Sequence, residues 1–211
     1  MNNLVVYSKV KRILDFIFSL IAILLLWPFF LIIALLIKID SMGPVFFKQM
    51  RIGKDKKEFF IFKFRTMRTD TPKDIPTHMM ESPDRFITRI GRFLRRTSLD
   101  ELPQIINILK GELSFIGPRP ALWNQFDLIT ERDKYGVNSI YPGLTGWAQI
   151  SGRDKLSIKV KARFDGEYVK RIGLKMDVKC FFRTILSILR SDGVVEGGAG
   201  SSTRKEGATA K

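Results

Sequence analysis

The sequence predicts an α+β protein: a re-entrant N-terminal membrane hairpin helix, then a small mixed domain of helices and short strands with interfacial amphipathic helices. Three observations carry this. Residues 16–37 hold no charge, yet Pro28 sits among them and both flanks are basic. Two short aromatic-rich runs, 44–49 and 59–65, are bounded by glycine and charged turns. Further along, apolar residues recur at helical spacing on segments rich in arginine and lysine.

Residues 7–39 form the membrane element. The uncharged run would be roughly 33 Å long as one straight helix, enough to cross a bilayer. Positive charge marks a cytoplasmic flank. Lys9, Lys11 and Arg12 precede the run, and Lys38, Lys48 and Arg51 follow it. A spanning helix puts one of these ends on the wrong side; a segment that enters, breaks at Trp27-Pro28 and returns satisfies both. Proline lacks an N–H and its ring clashes with the preceding turn. The break leaves half-helices of roughly 18 and 14 Å, each too short to span. A straight transmembrane helix with a tolerated proline is the alternative. Lys11, Arg12 and Asp15 lie where the anchor meets the membrane surface. Lys11 and Asp15 have the i,i+4 spacing of an ion pair, which would ease Asp15 into the interface. Lys38-Ile39-Asp40 follows the run instead of a small-residue cleavage site, so the segment is read as retained.

The runs 44–49 and 59–65 read as two strands, a hairpin turning at Gly53-Lys54-Asp55. Residues 69–84 carry Pro72, Pro76 and Pro83 and read as a loop. Residues 85–96 are helical in period. Phe86, Ile90, Phe93 and Leu94 lie on one face, and Arg85, Arg89, Arg92, Arg95 and Arg96 on the other. Such a helix lies in a membrane interface or packs on a core with a solvated face. A helix over 102–110, a strand over 113–116 and the stiff turn Gly117-Pro118-Arg119-Pro120 follow. Residues 121–133 read as helix, 141–146 as loop and 147–150 as strand. Residues 158–171 and 177–190 read as helices. The last has Val178, Phe181, Phe182, Ile185, Leu186 and Leu189 on one broad face. From 193 the chain is rich in Gly, Ser and Ala and reads as a flexible tail. The expected organisation is an anchor over 1–40, a domain over 41–192 and a tail over 193–211.

A net charge of +15 points to anionic partners: nucleic acid, an anionic membrane surface or phosphorylated substrates. The apolar run favours the membrane. One cysteine, Cys180, and one histidine, His78, leave no disulfide framework within the chain and no zinc site of the Cys/His kind. There is no P-loop and no G-x-G-x-x-G.

The sharpest local signal is Thr97-Ser98-Leu99-Asp100-Glu101-Leu102-Pro103-Gln104. Ser98 and Glu101 have the spacing of a capping box; alternatively, Pro103 takes the first helical position. Either way, Asp100 and Glu101 lie at a helix start, where negative charge is favoured. Acidic residues at helix starts are commonly caps. An ionised carboxylate there also suits Mg²⁺ or attack on phosphorus. The surroundings favour chemistry. Arg95 and Arg96 lie just upstream, Lys63 and Arg65 end an aromatic strand, and Arg119 is held between two prolines, as suits bidentate phosphate binding. Acids among cations match phosphoryl transfer, where catalysis is mostly positioning and charge neutralisation.

Several segments together resemble the monotopic phosphoglycosyl transferase family of bacterial sugar transferases. They are Lys11-Arg12-x-x-Asp15, the apolar run with Pro28, Pro44-Val45-Phe46-Phe47, Phe62-Lys63-Phe64-Arg65-Thr66-Met67, the Thr97–Gln104 stretch, Gly117-Pro118-Arg119-Pro120 and Pro142-Gly143-Leu144-Thr145-Gly146-Trp147-Ala148-Gln149. The chain looks most like small members that begin glycan assembly from a UDP-diacetamido sugar such as UDP-N,N′-diacetylbacillosamine. The resemblance implies transfer of a phospho-sugar from a UDP-sugar to undecaprenyl phosphate, with release of UMP. It implies that Asp100 is the nucleophile, forming a phosphoglycosyl-aspartate, and that Glu101 assists with Mg²⁺ or proton transfer. Both acids are then the expected Mg²⁺ ligands. Arg119 matches a phosphate or nucleotide contact, Lys63, Arg65 and Arg95 electrostatic partners, and Gln149 and Arg153 nucleotide-side residues. The implied location is the cytoplasmic face of the bacterial inner membrane, among anionic phospholipids and beside downstream glycosyltransferases, with no role for nucleic acid. Small members carry serine where Trp27 stands; its indole can anchor at an interface instead. The rival reading is a non-catalytic basic membrane adaptor, which predicts no Mg²⁺ dependence and no binding of UDP-sugars. A membrane-tethered nucleic-acid binder ranks last, because it has no use for the acid pair.

Overall fold

The computed structural model describes residues 2–71, 83–152 and 156–189. The loop region 72–82, Arg153 and the tail expected over 193–211 lie outside the described residues.

Helix α1 (Asn2–Asp40) runs through Pro28 without interruption. The two half-helices expected on either side of Trp27-Pro28 are joined in one helix, with Pro28 inside it. A proline removes one backbone donor, and a helix can absorb that loss by bending. By length and composition α1 could cross a membrane. Leu24, Leu25, Leu31 and Leu35 are each 60–73 % exposed.

Both ends of α1 are fastened to the same folded domain. Near its start, Tyr7 and Lys11 donate to Asp177, and Arg12 donates to the Leu113 carbonyl at 2.7 Å. Asp15 accepts from the Phe115 N–H at 3.2 Å. Near its end, Ile33 and Ile37 pack with Phe64 and Leu94, and Asp40 accepts from the Ile90 N–H at 2.9 Å. The expected Lys11–Asp15 pair is replaced. Lys11 reaches Asp177, while Asp15 lies 3.5 Å from Arg12. An exposed i,i+4 pair gives only about 0.3–0.5 kcal/mol, so a partly buried carboxylate across the fold outcompetes it.

Strands β1 (Phe46–Ile52) and β2 (Glu58–Phe64) form the expected antiparallel hairpin, in register from Phe46 opposite Phe64 to Ile52 opposite Glu58. The turn runs over Lys54–Lys56, with Asp55 and Lys56 at positive φ, 54° and 59°. Helix α2 (Arg89–Arg96) starts later than its period suggests, because Thr88 caps it by accepting from the Gly91 N–H. A 3₁₀ stretch, Leu99–Gln104, leads into α3 (Ile105–Lys110). The Asn107 side chain ties α3 to β2, accepting from the Phe62 N–H at 3.0 Å and donating to the Phe60 carbonyl at 2.7 Å.

Strand β3 (Ser114–Ile116) is followed by α4 (Phe126–Asp133), which begins later than expected. Strand β4 (Gly143–Thr145) pairs parallel to β3. Residues 147–150, expected as strand, lie in α5 (Trp147–Ser151). The residues just before them occupy the edge of β3, and Trp147 packs instead against the cluster of Ile116, Tyr168, Met176 and Cys180. Strand preference is largely a packing preference, and here the packing favours a helix.

Helices α6 (Ile158–Lys170) and α7 (Leu174–Leu189) close the domain. Helix α7 buries Met176, Asp177 and Cys180. Its other side presents Leu174, Val178, Phe181, Phe182, Ile185 and Leu186, each 40–64 % exposed.

Candidate active site

Asp100 and Glu101 sit in the first turn of the 3₁₀ stretch that precedes α3. The expected capping box does not form. Ser98 adopts a left-handed conformation, φ 57°, and its side chain caps nothing. Non-glycine residues rarely occupy that region, and such strain concentrates at functional sites.

Glu101 is engaged on both oxygens. Lys63, from β2, donates to Oε1 at 2.8 Å. Arg119 adds a two-point contact, Nη2 to Oε1 at 2.5 Å and Nη1 to Oε2 at 3.1 Å. Burial pushes the Glu101 carboxyl up, but Arg119 and Lys63 push it down harder, so it is held well below the usual carboxylate range. Burial lowers the Lys63 ammonium, and Glu101 pulls it back up.

Asp100 differs from its neighbour. Among the described residues its carboxylate accepts no hydrogen bond. Burial raises its pKa to about 6, Lys63 opposes the rise and the Glu101 charge adds to it. Adjacent carboxyls are thus pushed apart, one fixed as an anion within a cation clamp and the other open and titrating near neutrality. Such separation assigns different duties to two acids.

The Arg119 turn is held from several sides. Arg132 donates to the Arg119 carbonyl at 3.0 Å, and Arg51 donates to the Pro120 carbonyl at 3.1 Å. The Gly117 N–H donates to the Thr145 carbonyl at 2.8 Å, and the Gly143 N–H to the Pro118 carbonyl at 2.9 Å. The two turns touch backbone to backbone. A β-carbon on Gly143 would lie 2.1 Å from the Gly117 nitrogen, and one on Gly146 would lie 2.0 Å from the Gly117 oxygen. Only glycine fits there.

The structure thus brings Asp100, Glu101, Lys63 and Arg119 together. Arg95 is among the charges acting on Asp100, while its Nε donates to Thr66 Oγ1 at 2.9 Å. Arg65 serves the fold instead. Its guanidinium donates to the Ser41 and Met42 carbonyls just past α1, at 2.6 and 2.8 Å. Gln149 lies beside Gly146, and both polar atoms of its amide are buried without a protein partner. An unpaired buried amide of this kind suits a ligand contact. Sequence reasoning missed Arg132 and its partner Asp165. The signal was present: Arg132 falls four residues after Leu128, on the same face of a predicted helix.

Among the described residues no cluster of three metal-ligating side chains occurs. Mg²⁺ commonly takes one or two carboxylates and completes its shell with water and substrate phosphates. Asp100 fits that role. Glu101 fits less well, since a metal would compete with Lys63 and Arg119 for its oxygens.

A family model described as "Bacterial sugar transferase" matches residues 6–191. Over 186 residues, 85 % of this chain, the sequence is 38 % identical to a Xanthomonas campestris pv. campestris protein named UDP-glucose:undecaprenyl-phosphate glucose-1-phosphate transferase, covering 38 % of that protein. It is also 38 % identical to an Aeromonas hydrophila protein named UDP-N-acetylgalactosamine-undecaprenyl-phosphate N-acetylgalactosaminephosphotransferase, over 89 % of this chain and 45 % of that protein. The chain spans less than half the length of these two relatives. It is 42 % identical to the exopolysaccharide production protein PSS of Rhizobium leguminosarum bv. phaseoli, over 85 % of this chain and 94 % of that protein.

Proposed function

The chain belongs to the bacterial sugar transferase family, and from that premise we propose that it transfers a phospho-sugar from a UDP-sugar to undecaprenyl phosphate, releasing UMP. The observation that carries this reading is the contrast between the two neighbouring acids. Glu101 is fixed by Lys63 and Arg119, while Asp100 is open and ionised at neutral pH.

In the proposed reaction an Asp100 oxygen attacks the sugar-linked phosphorus. The bond from that phosphorus to the bridging oxygen breaks, and UMP leaves with the electron pair. The product is a phosphoglycosyl-aspartate. An oxygen of undecaprenyl phosphate then attacks the same phosphorus, the bond to Asp100 breaks, and the carboxylate is restored. Glu101 keeps Lys63 charged and Arg119 oriented, so both cations face the negative charge that builds during each displacement. A bound Mg²⁺, held by Asp100 and the diphosphate, would neutralise phosphate charge. Gln149 and Arg153 are assigned to the nucleotide side. The finer donor assignment is a UDP-N-acetylated amino sugar, the class in the name of the Aeromonas relative.

The membrane part of the proposal is a re-entrant α1 on the cytoplasmic face. Its support is that Lys11 near one end and Ile33, Ile37 and Asp40 at the other all contact one folded domain. A spanning helix would place one of those contacts across the bilayer. The uncovered apolar side of α7, with Lys175 nearby, suits contact with anionic phospholipid.

The test is a UMP-release screen across UDP-sugars, including UDP-N,N′-diacetylbacillosamine, with undecaprenyl phosphate and Mg²⁺. Asp100→Asn should abolish release, and full retained activity would refute the assignment. Tags before Lys9 and after Leu189 should both be cytoplasmic.

A further inference from the structure

We infer that a cavity apart from the acid pair, where the start of α1 meets β3 and the hairpin turn, binds a phosphate group. The cavity measures about 60 Å³ and is lined by Lys11, Arg12, Lys54, Ser114, Tyr141 and Tyr168, among others. By this measure a single water needs about 10–15 Å³, so there is room for a small tetrahedral anion.

Its polar groups are incompletely matched. Ser114 is fully buried, and its hydroxyl has no hydrogen-bond partner in the protein. The Arg12 guanidinium carbon lies 4.3 Å from the centre of the Tyr141 ring, and Lys54 Nζ lies 4.9 Å from the same centre. Lys11 is matched by Asp177, and Arg12 lies 3.5 Å from Asp15 and donates to the Leu113 carbonyl. Among the described residues Lys54 forms no ion pair. Two cations therefore share one aromatic ring beside an orphan hydroxyl. A phosphate would accept from Lys54, Arg12 and Ser114 together, turning a repulsive arrangement into charge-assisted hydrogen bonds.

The position favours the membrane surface. Arg12 stands four residues before Phe16, where the uncharged run begins. The phosphate is then that of an anionic lipid headgroup or a free phosphate anion from solution. None of the cations that clamp Glu101 lines this cavity, so it is separate from the reaction site. The lipid source rests on the re-entrant reading of α1; phosphate binding itself does not.

The experiment uses the full chain in phosphatidylcholine nanodiscs with and without phosphatidylglycerol. Native mass spectrometry counts retained phosphatidylglycerol for the wild type, Lys54→Gln, Ser114→Ala and the control Lys56→Gln, which alters an ion pair with Asp133 outside the cavity. A second arm titrates inorganic phosphate into pure phosphatidylcholine discs and follows thermal unfolding. Hydrogen bonds from a charged donor to phosphate are among the strong ones, so Lys54→Gln should weaken binding about tenfold or more. Retention of phosphatidylglycerol with that variant pattern identifies the lipid headgroup. Stabilisation by inorganic phosphate with the same pattern identifies a free anion. Equal behaviour of wild type and Lys54→Gln in both arms overturns the proposal. No nucleotide sugar is present, so the transferase assignment can fail without affecting the result.

Discussion

Arg132 donates from Nη2 to the backbone oxygen of Arg119 at 3.0 Å. The same guanidinium is clasped by Asp165, with Nε at 2.9 Å and Nη2 at 2.6 Å from Oδ2, and both side chains are buried. Arg119 in turn grips Glu101. A buried ion pair thus sets the height of the turn that carries the clamp. Lysine cannot fork between Asp165 and the carbonyl. Arg132→Lys should lower UMP release about tenfold, and Asp165→Asn should cost about 3–5 kcal/mol by leaving a buried guanidinium unpaired. Steady-state rates and thermal melts check both; wild-type rates in Arg132→Lys would remove the positioning role.

The acid limb of the rate profile should report Asp100. With its pKa pushed up to about 6, kcat/KM should fall tenfold per pH unit below about 6, because in the proposed reaction only the Asp100 carboxylate attacks. In Glu101→Gln the neighbouring negative charge is gone, and Lys63 and Arg119 act more strongly on Asp100. The limb should then move to lower pH while the plateau rate drops. A limb that stays in place would mean that another group sets it.

The same shift makes a stability prediction with a definite sign. Raising a carboxyl from 3.8 to about 6 means that its ionised form opposes folding. The penalty is absent below the ordinary carboxyl pKa, grows as pH rises through the interval, and is complete above about 6. At 1.36 kcal/mol per unit it amounts to about 3 kcal/mol. Asp100→Asn should therefore melt higher than wild type at pH 8, with the gap closing near pH 4. Identical melting at pH 8 would contradict the raised value. The assay needs no substrate.

Phe181 and Phe182 pack edge to face, 5.6 Å apart, on the uncovered side of α7. If that side rests in lipid, a nitroxide on Phe182→Cys in phosphatidylglycerol-containing vesicles should be relaxed by dissolved oxygen more than by an aqueous nickel chelate. A nitroxide on Lys134→Cys, an exposed site in the domain, should show the reverse preference. Equal preference at both sites would place α7 in water.

Asp177 collects Tyr7, Lys11 and Tyr168. Asp177→Asn should destabilise the protein by about 3 kcal/mol, since the Lys11 charge loses its counterion in a partly buried setting. The start of α1 should also become open to protease, which is checked by timed digestion and mass mapping. Unchanged melting and digestion would make the network incidental.

What the sequence revealed follows from the range of each interaction. The β1–β2 hairpin, the acid pair and the proline-held Arg119 are written in neighbouring residues and were legible. So was helix α7, although it begins at Leu174, three residues before its expected start. The Lys11–Asp177 pair joins residues 166 apart, and no local spacing announces it. Arg65 looked like a partner of the acids because it follows Lys63 by two. Its guanidinium goes instead to carbonyls beyond the end of α1, a choice made by tertiary packing. Trp147 and Ile150 have strand preference, yet the edge beside β3 was already occupied. Ser98 carries the letters of a cap, but its left-handed backbone directs the chain elsewhere.

The contact of Gly117 with Gly143 and Gly146 has a consequence for rebuilding this protein. Two turns far apart in the chain meet with no clearance for a single methyl group. They behave as one machined part. A chimera that takes the Gly117–Pro120 turn from a relative must take the Gly143–Gly146 turn as well, and new donor preferences have to be fitted around this joint rather than through it.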